Sequence, residues 1–464
     1  MKSTDGAAAI VKAVTTAQTG ARSVIIEALA RIEANTGRTK AFTDVLKDRA
    51  LANADGIDPA LKAGKKLPLA GVPFAVANAF DLKGIATRAG SKIGRDGLPA
   101  AIDAALIGRL EAAGAICAGA ASIDEFGLGH TGETAHDGAV HNPHDLTAIA
   151  GGAPAGVAAA IAGGMVPLGL ALDSDGGLRI AASLSGLFAI KPTYGRLSRV
   201  GVFPTAPSLD HTGVLARSVE DLALAYDAAQ GVDAADPAMI KRPLEPVSGR
   251  LERGSAGLRI AIADGDFAGA GEARQMMDEI GKRLEVSRRV MIPYAQAALA
   301  AAHLIGMAEA ASLHAERLRS RAADFDPEVR DRLAAGSLLP AQWIERAQRF
   351  RRMFHEQMLA LFSTIDVILA PATPMRAPRL GQKSARVGTV EVPVRQSLNS
   401  YTAAFSLAGL PVGAVPIAID GQRLPLGVQA IAAPWREDFA LRIARELEKS
   451  GLAKAPVARG FAEE

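Results

Sequence analysis

The sequence predicts an α/β fold: a central, mixed and largely parallel twisted sheet with helices on both faces. Segments with apolar residues at helical spacing alternate with short apolar runs of strand length, and this alternation is typical of such a sheet. The chain has 464 residues, of which 49% are hydrophobic, so it is long enough to bury a large core. Aromatic residues make up only 4%, so the core must be packed mainly from Ala, Gly, Leu, Ile and Val.

The first part of the chain is predicted to supply helices and then strands. Residues 1–65 carry apolar residues at a period of 3.6 and are expected to be mostly helical. The elements predicted after them are a strand at 67–76, a helix at 101–113, a strand at 115–120 and a long loop at 127–150.

The alternation continues through the middle of the chain. Residues 154–173 pass from helix to strand, and 186–191 form another strand, so we expect 165–173 and 186–191 to be inner strands of the sheet. The proline-, charge- and glycine-rich residues 233–256 are typical of a connecting loop. Predicted helices follow at about 270–285, 296–320 and 340–362.

Composition and charge argue against two classes of function. The net charge is only +3, and no Lys/Arg block is long enough for a nucleic-acid tail. The longest apolar run, 157–172, contains glycines and Pro167 and is too short and too broken to span a bilayer. The single cysteine, Cys117, lies in an apolar run and is expected to be buried. We therefore expect a cytoplasmic protein that binds neither nucleic acid nor membrane.

Residues 150–191 carry the most specific pattern. A glycine-rich turn at 151–156 opens a small-residue helix, an apolar strand follows, and a tight turn at 173–177 leads to Arg179. This segment resembles the core of the amidase signature family, in which a GGSSGG loop precedes a DTGGS turn. The similar stretch DSDGGLRIAASLSGLFAIKPTYGRLSR runs over 27 residues without a gap. The resemblance implies the amidase-signature fold, with 1–464 as one domain and about 240–345 as a more variable helical insertion region within it.

The family works through a Ser-Ser-Lys triad, and the resemblance implies that this chain lacks all three groups. Gly177 stands where the nucleophilic serine ends the turn, Ala153 where the bridging serine lies, and Ala77 where the lysine follows a strand. Glycine and alanine can neither attack a carbonyl nor carry a proton. We therefore predict a pseudoenzyme in which these three positions converge on one vacated pocket.

The loops around the vacated positions also depart from the family pattern. Pro154 removes a backbone donor from the glycine-rich turn. Asp175 replaces a glycine, and its carboxylate would repel an oxyanion. Arg179 and Asp173 are expected to brace the turn. The predicted ligand-pocket residues are Gly152, Ser174, Asp175, Gly176 and Arg179.

Two other sources of hydrolysis remain open. Ser174 could act with Asp173 or Asp175 if the carboxyl pKa were raised in a dry pocket. The loop with His130, His136, His141 and His144 carries side chains that zinc prefers. Its spacing matches no zinc motif, however, so we predict a polar loop and no metal. The glycine-rich turn lacks the lysine of a phosphate-binding loop, and no cofactor is predicted.

Assembly is suggested by segments outside the reactive centre. Residues near 222–231, 347–352 and 430–435 resemble the 1-carboxybiuret hydrolase branch of the family, whose large subunit pairs with a very small helical subunit. This resemblance implies a protein partner, either such a subunit or an active amidase paralogue; a homo-oligomer is the other expectation. The predicted function is a catalytically silent subunit that binds a partner or a small ligand in the vacated pocket. The alternative is an active hydrolase of linear amides that uses displaced residues.

Overall fold

The computed structural model describes residues 2–417 and 424–462. Its α-helices are α1 (Ala7–Thr15), α2 (Ala21–Thr39), α3 (Lys47–Lys62), α4 (Lys92–Arg95), α5 (Ala105–Ala112), α6 (Ala155–Ala162), α7 (Gly177–Ser185), α8 (Val219–Ala229), α9 (Glu272–Arg283), α10 (Ala295–Arg321), α11 (Pro327–Ser337), α12 (Ala341–Phe362), α13 (Val394–Ser397), α14 (Ala403–Leu407) and α15 (Glu437–Lys449). Its strands are β1 (Phe42–Val45), β2 (Pro73–Ala77), β3 (Ile116–Ala121), β4 (His141–Asn142), β5 (Asp145–Ile149), β6 (Leu168–Asp173), β7 (Phe188–Lys191), β8 (His211–Ala216), β9 (Ile260–Asp264), β10 (Arg289–Met291), β11 (Val367–Pro371), β12 (Ser384–Val387), β13 (Val390–Pro393), β14 (Val412–Ile417) and β15 (Leu426–Ala432).

The central sheet has eleven strands in the order β1-β3-β2-β6-β8-β7-β14-β15-β11-β9-β10. Both β6 and β7 lie inside it, as predicted for 165–173 and 186–191. Eight strands are buried over their whole length, as expected for a sheet covered by helices on both faces: β2, β3, β6, β7, β8, β11, β14 and β15. The predicted α/β class and mixed sheet are therefore confirmed.

The strands pair mostly antiparallel, which corrects the expectation of a largely parallel sheet. Only β3–β2, β2–β6, β11–β9 and β9–β10 are parallel. Parallel neighbours need a crossover connection, usually through a helix. Residues 192–210 join β7 to β8 without a helix, so these two neighbours run antiparallel. Apolar runs alone do not reveal strand direction, and the helices between other strands made parallel pairing the natural expectation.

Helix α6 brings the glycine-rich turn close to the sheet because its residues are small. Every residue of α6 is buried, and it packs against β2 and β6. A Cβ atom added to Gly156 would lie only 2.4 Å from the backbone nitrogen of Ser122. This close approach fixes the start of α6, and with it Ala153 and Pro154, beside the carboxyl ends of the parallel strands.

The region 240–345 is not purely helical, since it also supplies β9 and β10 at one edge of the sheet. Its long helix α10 packs against α11 and α12. The segment 127–150, predicted as a loop, contains the short hairpin β4–β5. Cys117 is buried, as predicted, and burial raises the pKa of its thiol to about 12. Within the described residues, none of the helices combines the length and apolar composition that a membrane span requires.

Candidate active site

A buried ion pair holds the turn between β6 and α7. The side chains of Asp173 and Arg179 are both 0% exposed, and Arg179 Nη2 lies 2.8 Å from Asp173 Oδ1. Burial opposes the ionisation of Asp173, but the charge and hydrogen bonds of Arg179 outweigh it and lower the pKa of the carboxyl. Arg179 also donates hydrogen bonds to three groups of the C-terminal region: Thr402 O, Gln429 Oε1 and Ser406 Oγ. The predicted bracing role of Arg179 and Asp173 is confirmed.

Two glycines allow the backbones of the glycine-rich turn and of the β6–α7 turn to approach their neighbours. Gly152 has φ +69°, and a Cβ there would lie 2.1 Å from the carbonyl oxygen of Gly177. Gly176 has φ +138°, and its Cβ would lie 2.0 Å from Thr402 Oγ1. Side chains are excluded at both positions. Gly152 shapes the glycine-rich turn and Gly176 shapes the β6–α7 turn, but neither lines the cavity described below.

Replacing these glycines tests this packing. We expect Gly152→Ala to lower the free energy of unfolding by about 1–3 kcal/mol, the usual cost of overpacking a core. Gly177→Ala is the matched control, because a Cβ there would meet nothing closer than 3.4 Å. It should change the free energy by less than about 1 kcal/mol. Urea unfolding of both variants measures the difference, and equal effects would contradict the geometry.

The three positions matched to the triad are buried beside this turn. Ala77 and Ala153 are 0% and 3% exposed, and Gly177 is also buried. A Cβ at Gly177 would lie 3.4 Å from the Cβ of Ala153, so these two positions adjoin. Ala77 ends β2, which pairs in parallel with β6, the strand that leads into the turn. It therefore lies at the same edge of the sheet.

Asp175 projects from the turn into a hydrogen-bonded network. Its carboxylate oxygens lie 3.0 and 3.1 Å from His130 Nε2, and Asn399 Nδ2 donates to Oδ2 at 2.8 Å. The same Asn399 nitrogen lies 3.0 Å from His303 Nε2. Burial opposes both charges of the Asp175–His130 pair, yet their attraction outweighs it: the pKa of Asp175 is lowered and that of His130 is raised. The negative charge expected at this turn is therefore internally compensated.

This pair makes stability depend on pH with a definite sign. The raised pKa of His130 means that its contribution is fully present below about pH 6.5 and is lost as the pH rises through the folded value. The lowered pKa of Asp175 means that its contribution to stability is fully present above about pH 3.8 and is lost as the pH falls through the folded value. We expect the difference in unfolding free energy between wild type and Asp175→Asn to be largest at about pH 5–6 and to shrink toward alkaline pH.

Denaturant unfolding at a series of pH values measures this dependence. The exposed Leu338 provides a control, since Leu338→Asn changes no titratable group and its difference from wild type should stay flat over the same range. A difference for Asp175→Asn that grows as the pH rises would show that the pair does not carry the charge assigned to it.

A cavity of about 270 Å³ adjoins the turn. Ser174 and Asp175 line it on one side, and Arg332 and Arg395 line it on another. Apolar side chains from α10 and α11 complete the wall: Ala302, Met307, Ala310, Val329 and Leu333. Of the five predicted pocket residues, Ser174 and Asp175 reach this cavity, whereas Gly152, Gly176 and Arg179 do not.

Ser174 bonds to a carboxylate other than those considered from the sequence. Its hydroxyl donates to Asp210 Oδ1 at 2.6 Å, while Asp173 is engaged by Arg179 and Asp175 by His130. Asp210 also accepts the backbone N–H groups of Thr205 and Ala206, at 3.0 and 2.9 Å. Burial raises the pKa of Asp210 despite these donors. The suggested pairing of Ser174 with Asp173 or Asp175 is wrong, and Asp210 takes that place.

The four histidines of the 127–150 region do not meet. His130 contacts Asp175, His141 Nδ1 lies 2.7 Å from Leu146 O, and His144 Nε2 lies 3.1 Å from Ser185 O. Across residues 2–417 and 424–462, no group of three or more His, Cys, Asp or Glu side chains has the arrangement of metal ligands.

Sequence reasoning missed Asp210, His303, Arg332 and Asn399 as members of this site. They lie between 35 and 224 residues from Asp175 along the chain, so no local motif joins them to the turn. The available signals were a single imidazole in the alanine-rich run AQAALAAAHLIGM and an amide in the polar run SLNSYT. Only the fold reveals that these segments meet.

Comparison with known proteins places this geometry in context. The chain is 45% identical over 449 residues to the 1-carboxybiuret hydrolase subunit AtzE of Pseudomonas sp. (strain ADP), covering 96% of this chain and 98% of that protein. It is 35% identical over 454 residues to a glutamyl-tRNA(Gln) amidotransferase subunit of Acinetobacter baumannii (strain AB0057), covering 91% of each. A solved inhibitor-bound structure is described as an unexpected vestigial protein complex that reveals the evolutionary origins of an s-triazine catabolic enzyme. It matches with a TM-score of 0.95 and 44% identity over 97% of this chain and 100% of that chain.

These likenesses extend far beyond the turn and its glycines. A family model described as Amidase matches residues 23–441. That range covers most of the chain, including the glycine-rich turn, the braced β6–α7 turn and the arginines that line the cavity, so the chain belongs to the amidase family.

Proposed function

We propose that this chain is a catalytically silent amidase-family subunit that binds a small ligand or a partner protein at the cavity beside the β6–α7 turn. One observation carries the proposal: the cavity persists, while the buried positions matched to the triad, Ala77, Ala153 and Gly177, hold no reactive atom. An acyl-transfer site needs a nucleophile and a proton acceptor acting together. Those positions provide neither.

The turn itself is organised around an internal charge. The Asp175 carboxylate is held by His130 and Asn399 next to the amino end of α7, where the unpaired N–H groups and the helix dipole favour a negative group. An incoming oxyanion would meet a carboxylate already present. The arrangement therefore favours binding of an uncharged amide over stabilisation of a tetrahedral intermediate.

Unpaired polar atoms at the cavity wall support a ligand-binding role. Thr131 Oγ1 and Asn399 Oδ1 have no hydrogen-bond partner within the described residues, and both residues line the cavity. A buried acceptor left unpaired costs about 1–3 kcal/mol. The N–H donors of a primary amide or biuret would satisfy Asn399 Oδ1 if the Asn399 side chain turned toward the cavity, a movement that would also release its hydrogen bond to Asp175.

Calorimetric titration of the full chain with biuret tests ligand binding. We expect binding that is lost in Met307→Trp, because the larger side chain would fill the cavity. Leu338→Trp is the control, since Leu338 is 83% exposed and lies outside the cavity. Biuret binding that survives Met307→Trp would place the ligand elsewhere, and hydrolysis of the titrant would contradict the proposed loss of catalysis.

A protein partner is the other part of the proposal. Two relatives are named as subunits, and a solved relative is described as a protein complex. We propose a small helical subunit or an active amidase paralogue as the partner, with a homo-oligomer as the remaining case. Affinity purification of the tagged chain from its own cells, followed by light scattering, distinguishes these outcomes by the mass of the complex. A bare monomer at every stage would contradict the partner proposal.

An active hydrolase remains the second candidate function because of the Ser174–Asp210 contact. Ser174 lines the cavity, and its proton already points at a carboxylate with a raised pKa. A fluorophosphonate probe tests this directly, since it labels activated serines. Labelling of the wild type that disappears in Ser174→Ala would establish a relocated active site, and an unlabelled wild type supports the silent subunit.

A further inference from the structure

A wide groove follows one face of helix α12, away from the cavity beside the β6–α7 turn. It measures about 1310 Å³, and none of its lining residues lines that cavity. The lining residues of α12 extend from Ala341 to Glu356, which spans about 22 Å at 1.5 Å per residue. Because pockets for small molecules usually measure about 300–1,000 Å³, the size of this α12 groove favours a larger occupant.

The other walls of the α12 groove are largely apolar. They include Ile240, Leu407, Ala408, Pro434 and Trp435. Of the described residues that line the groove, none belongs to a β-strand, so a partner cannot bind here by adding a strand to a sheet edge. The shape favours a helix that lays its apolar face into the groove.

Contacts between α12 and its neighbours form the groove in advance of any binding. Arg351 donates hydrogen bonds from Nε to Leu407 O at 2.9 Å and from Nη2 to Ser208 O at 2.7 Å. His355 Nδ1 lies 2.9 Å from Ala408 O. Since α12 is held against the opposing loop by these contacts, docking would require little rearrangement, and a preorganised surface binds at lower cost.

Trp435 lies in the groove with a strained backbone. Its φ is +68°, a region that side chains other than glycine seldom adopt and that is often retained at functional sites. Its N–H donates to Thr193 Oγ1 at 2.8 Å, and the guanidinium of Arg242 lies 4.7 Å from the centre of its ring. The chain has only two Trp and four Tyr, yet Trp435 and Tyr194 both line this groove. Trp, Tyr and Arg are the residues that dominate binding energy at protein interfaces.

The charges along α12 indicate what kind of helix fits. Arg349, Arg351 and Arg352 line the groove, and within the described part of the chain none of them forms an ion pair with a carboxylate. Glu345 and Glu356 line it on either side of these arginines along the helix. The middle of this wall is therefore positive and its ends are negative. A nucleic-acid backbone would be repelled at both ends, whereas a helix with an acidic centre complements the whole wall.

We propose that the α12 groove binds an amphipathic helix of a partner protein, with acidic residues at its centre facing Arg349 and Arg352 and apolar residues facing Trp435. A helix of about fifteen residues covers the length of the groove. This inference rests on the partner proposed above and adds the surface and the chemistry by which that partner is recognised.

Fluorescence anisotropy of the full chain with a labelled synthetic peptide tests the proposal. The peptide is a stapled amphipathic helix of about fifteen residues, with leucines on one face and glutamates at its centre. We expect it to bind at least about tenfold more tightly than the same peptide with lysines in place of the glutamates. In Trp343→Phe, which leaves Trp435 as the single tryptophan, binding should shift the tryptophan emission to shorter wavelength.

Charge reversal on α12 supplies matched variants. Arg352 and Arg346 are both exposed on this helix, but only Arg352 lines the groove. Arg352→Glu should weaken binding of the acidic peptide at least about tenfold, whereas Arg346→Glu should change it less than about twofold. Equal affinities for the two peptides, equal losses in the two variants, or no binding of the acidic peptide would each overturn the proposal.

The complex purified from cells separates this inference from the partner proposal. A complex that forms with the wild type and is lost in Arg352→Glu, but not in Arg346→Glu, supports both. A complex that persists in Arg352→Glu would overturn the groove and leave the partner in place. A chain that is a dimer of itself and becomes a monomer in Arg352→Glu would assign the groove to a second copy and overturn the proposed acidic helix.

Discussion

Purified protein is expected to hydrolyse neither simple amides nor biuret at a rate above a buffer control. The positions matched to the nucleophile, bridge and base are Gly177, Ala153 and Ala77, and residues that act as one catalytic unit lose nearly all their rate together, about 10⁶-fold in a hydrolase triad. Release of ammonia in a coupled assay over several hours measures this with ample sensitivity.

Restoring the triad one residue at a time sharpens the same prediction. Gly177→Ser should give no measurable rate although its side chain has room, because a serine without its base is a weak nucleophile. Adding Ala77→Lys and Ala153→Ser should yield at most a small rate, since Asp175 and Pro154 still shape the loops. The control is the triple variant with Ala at position 177. Robust hydrolysis by the unmodified chain that is lost in Ser174→Ala would contradict the loss of catalysis and would show that the active site has moved to Ser174.

Arg179→Met is expected to lower the free energy of unfolding by about 3–5 kcal/mol, the usual cost of leaving one partner of a buried ion pair alone. Both side chains of the pair are fully buried, and Arg179 also donates to Gln429 and Ser406. The loss should therefore exceed that of any exposed pair. Denaturant unfolding monitored by tryptophan fluorescence provides the measurement.

A surface ion pair supplies the control for this prediction. Arg22 lies 2.7 Å from Asp55, and the two side chains are 50% and 57% exposed, so Arg22→Met should cost less than about 1 kcal/mol. The double variant Arg179→Met with Asp173→Leu should recover part of the loss, because no uncompensated charge remains. Similar costs at Arg179 and Arg22 would show that the brace contributes little to stability.

The local structure around the turn was predictable because the elements that form it are consecutive in the sequence and rich in small residues. The small-residue helix α6, the buried β6 and the turn before Arg179 follow one another within about thirty residues, and each has a clear pattern. Strand direction was not predictable in the same way, since apolar runs of equal length form both parallel and antiparallel pairs. The mixed sheet was expected, but its antiparallel majority was not.

The network around Asp175 was beyond sequence reasoning for a different reason. The sequence indicates that a carboxylate replaces a glycine, and from this alone repulsion of an oxyanion follows. His130 and Asn399 hold that carboxylate, but they come from a loop and from the turn between α13 and α14, which only the tertiary fold brings together. The partner of Ser174 was misjudged likewise, because Asp210 enters from the loop before β8.

The close approach of positions 153 and 177 also bears on whether the proposed loss of catalysis is reversible. Because the nucleophile, bridge and base act as one unit, we expect no single replacement at either position to confer a rate on which selection could act. Under the proposed loss of catalysis, intermediate sequences would also be inactive, and substitutions that improve packing around Pro154 would accumulate without opposition. The fold would then be preserved for the partner or ligand that it binds, while the number of substitutions needed to restore catalysis would increase with time.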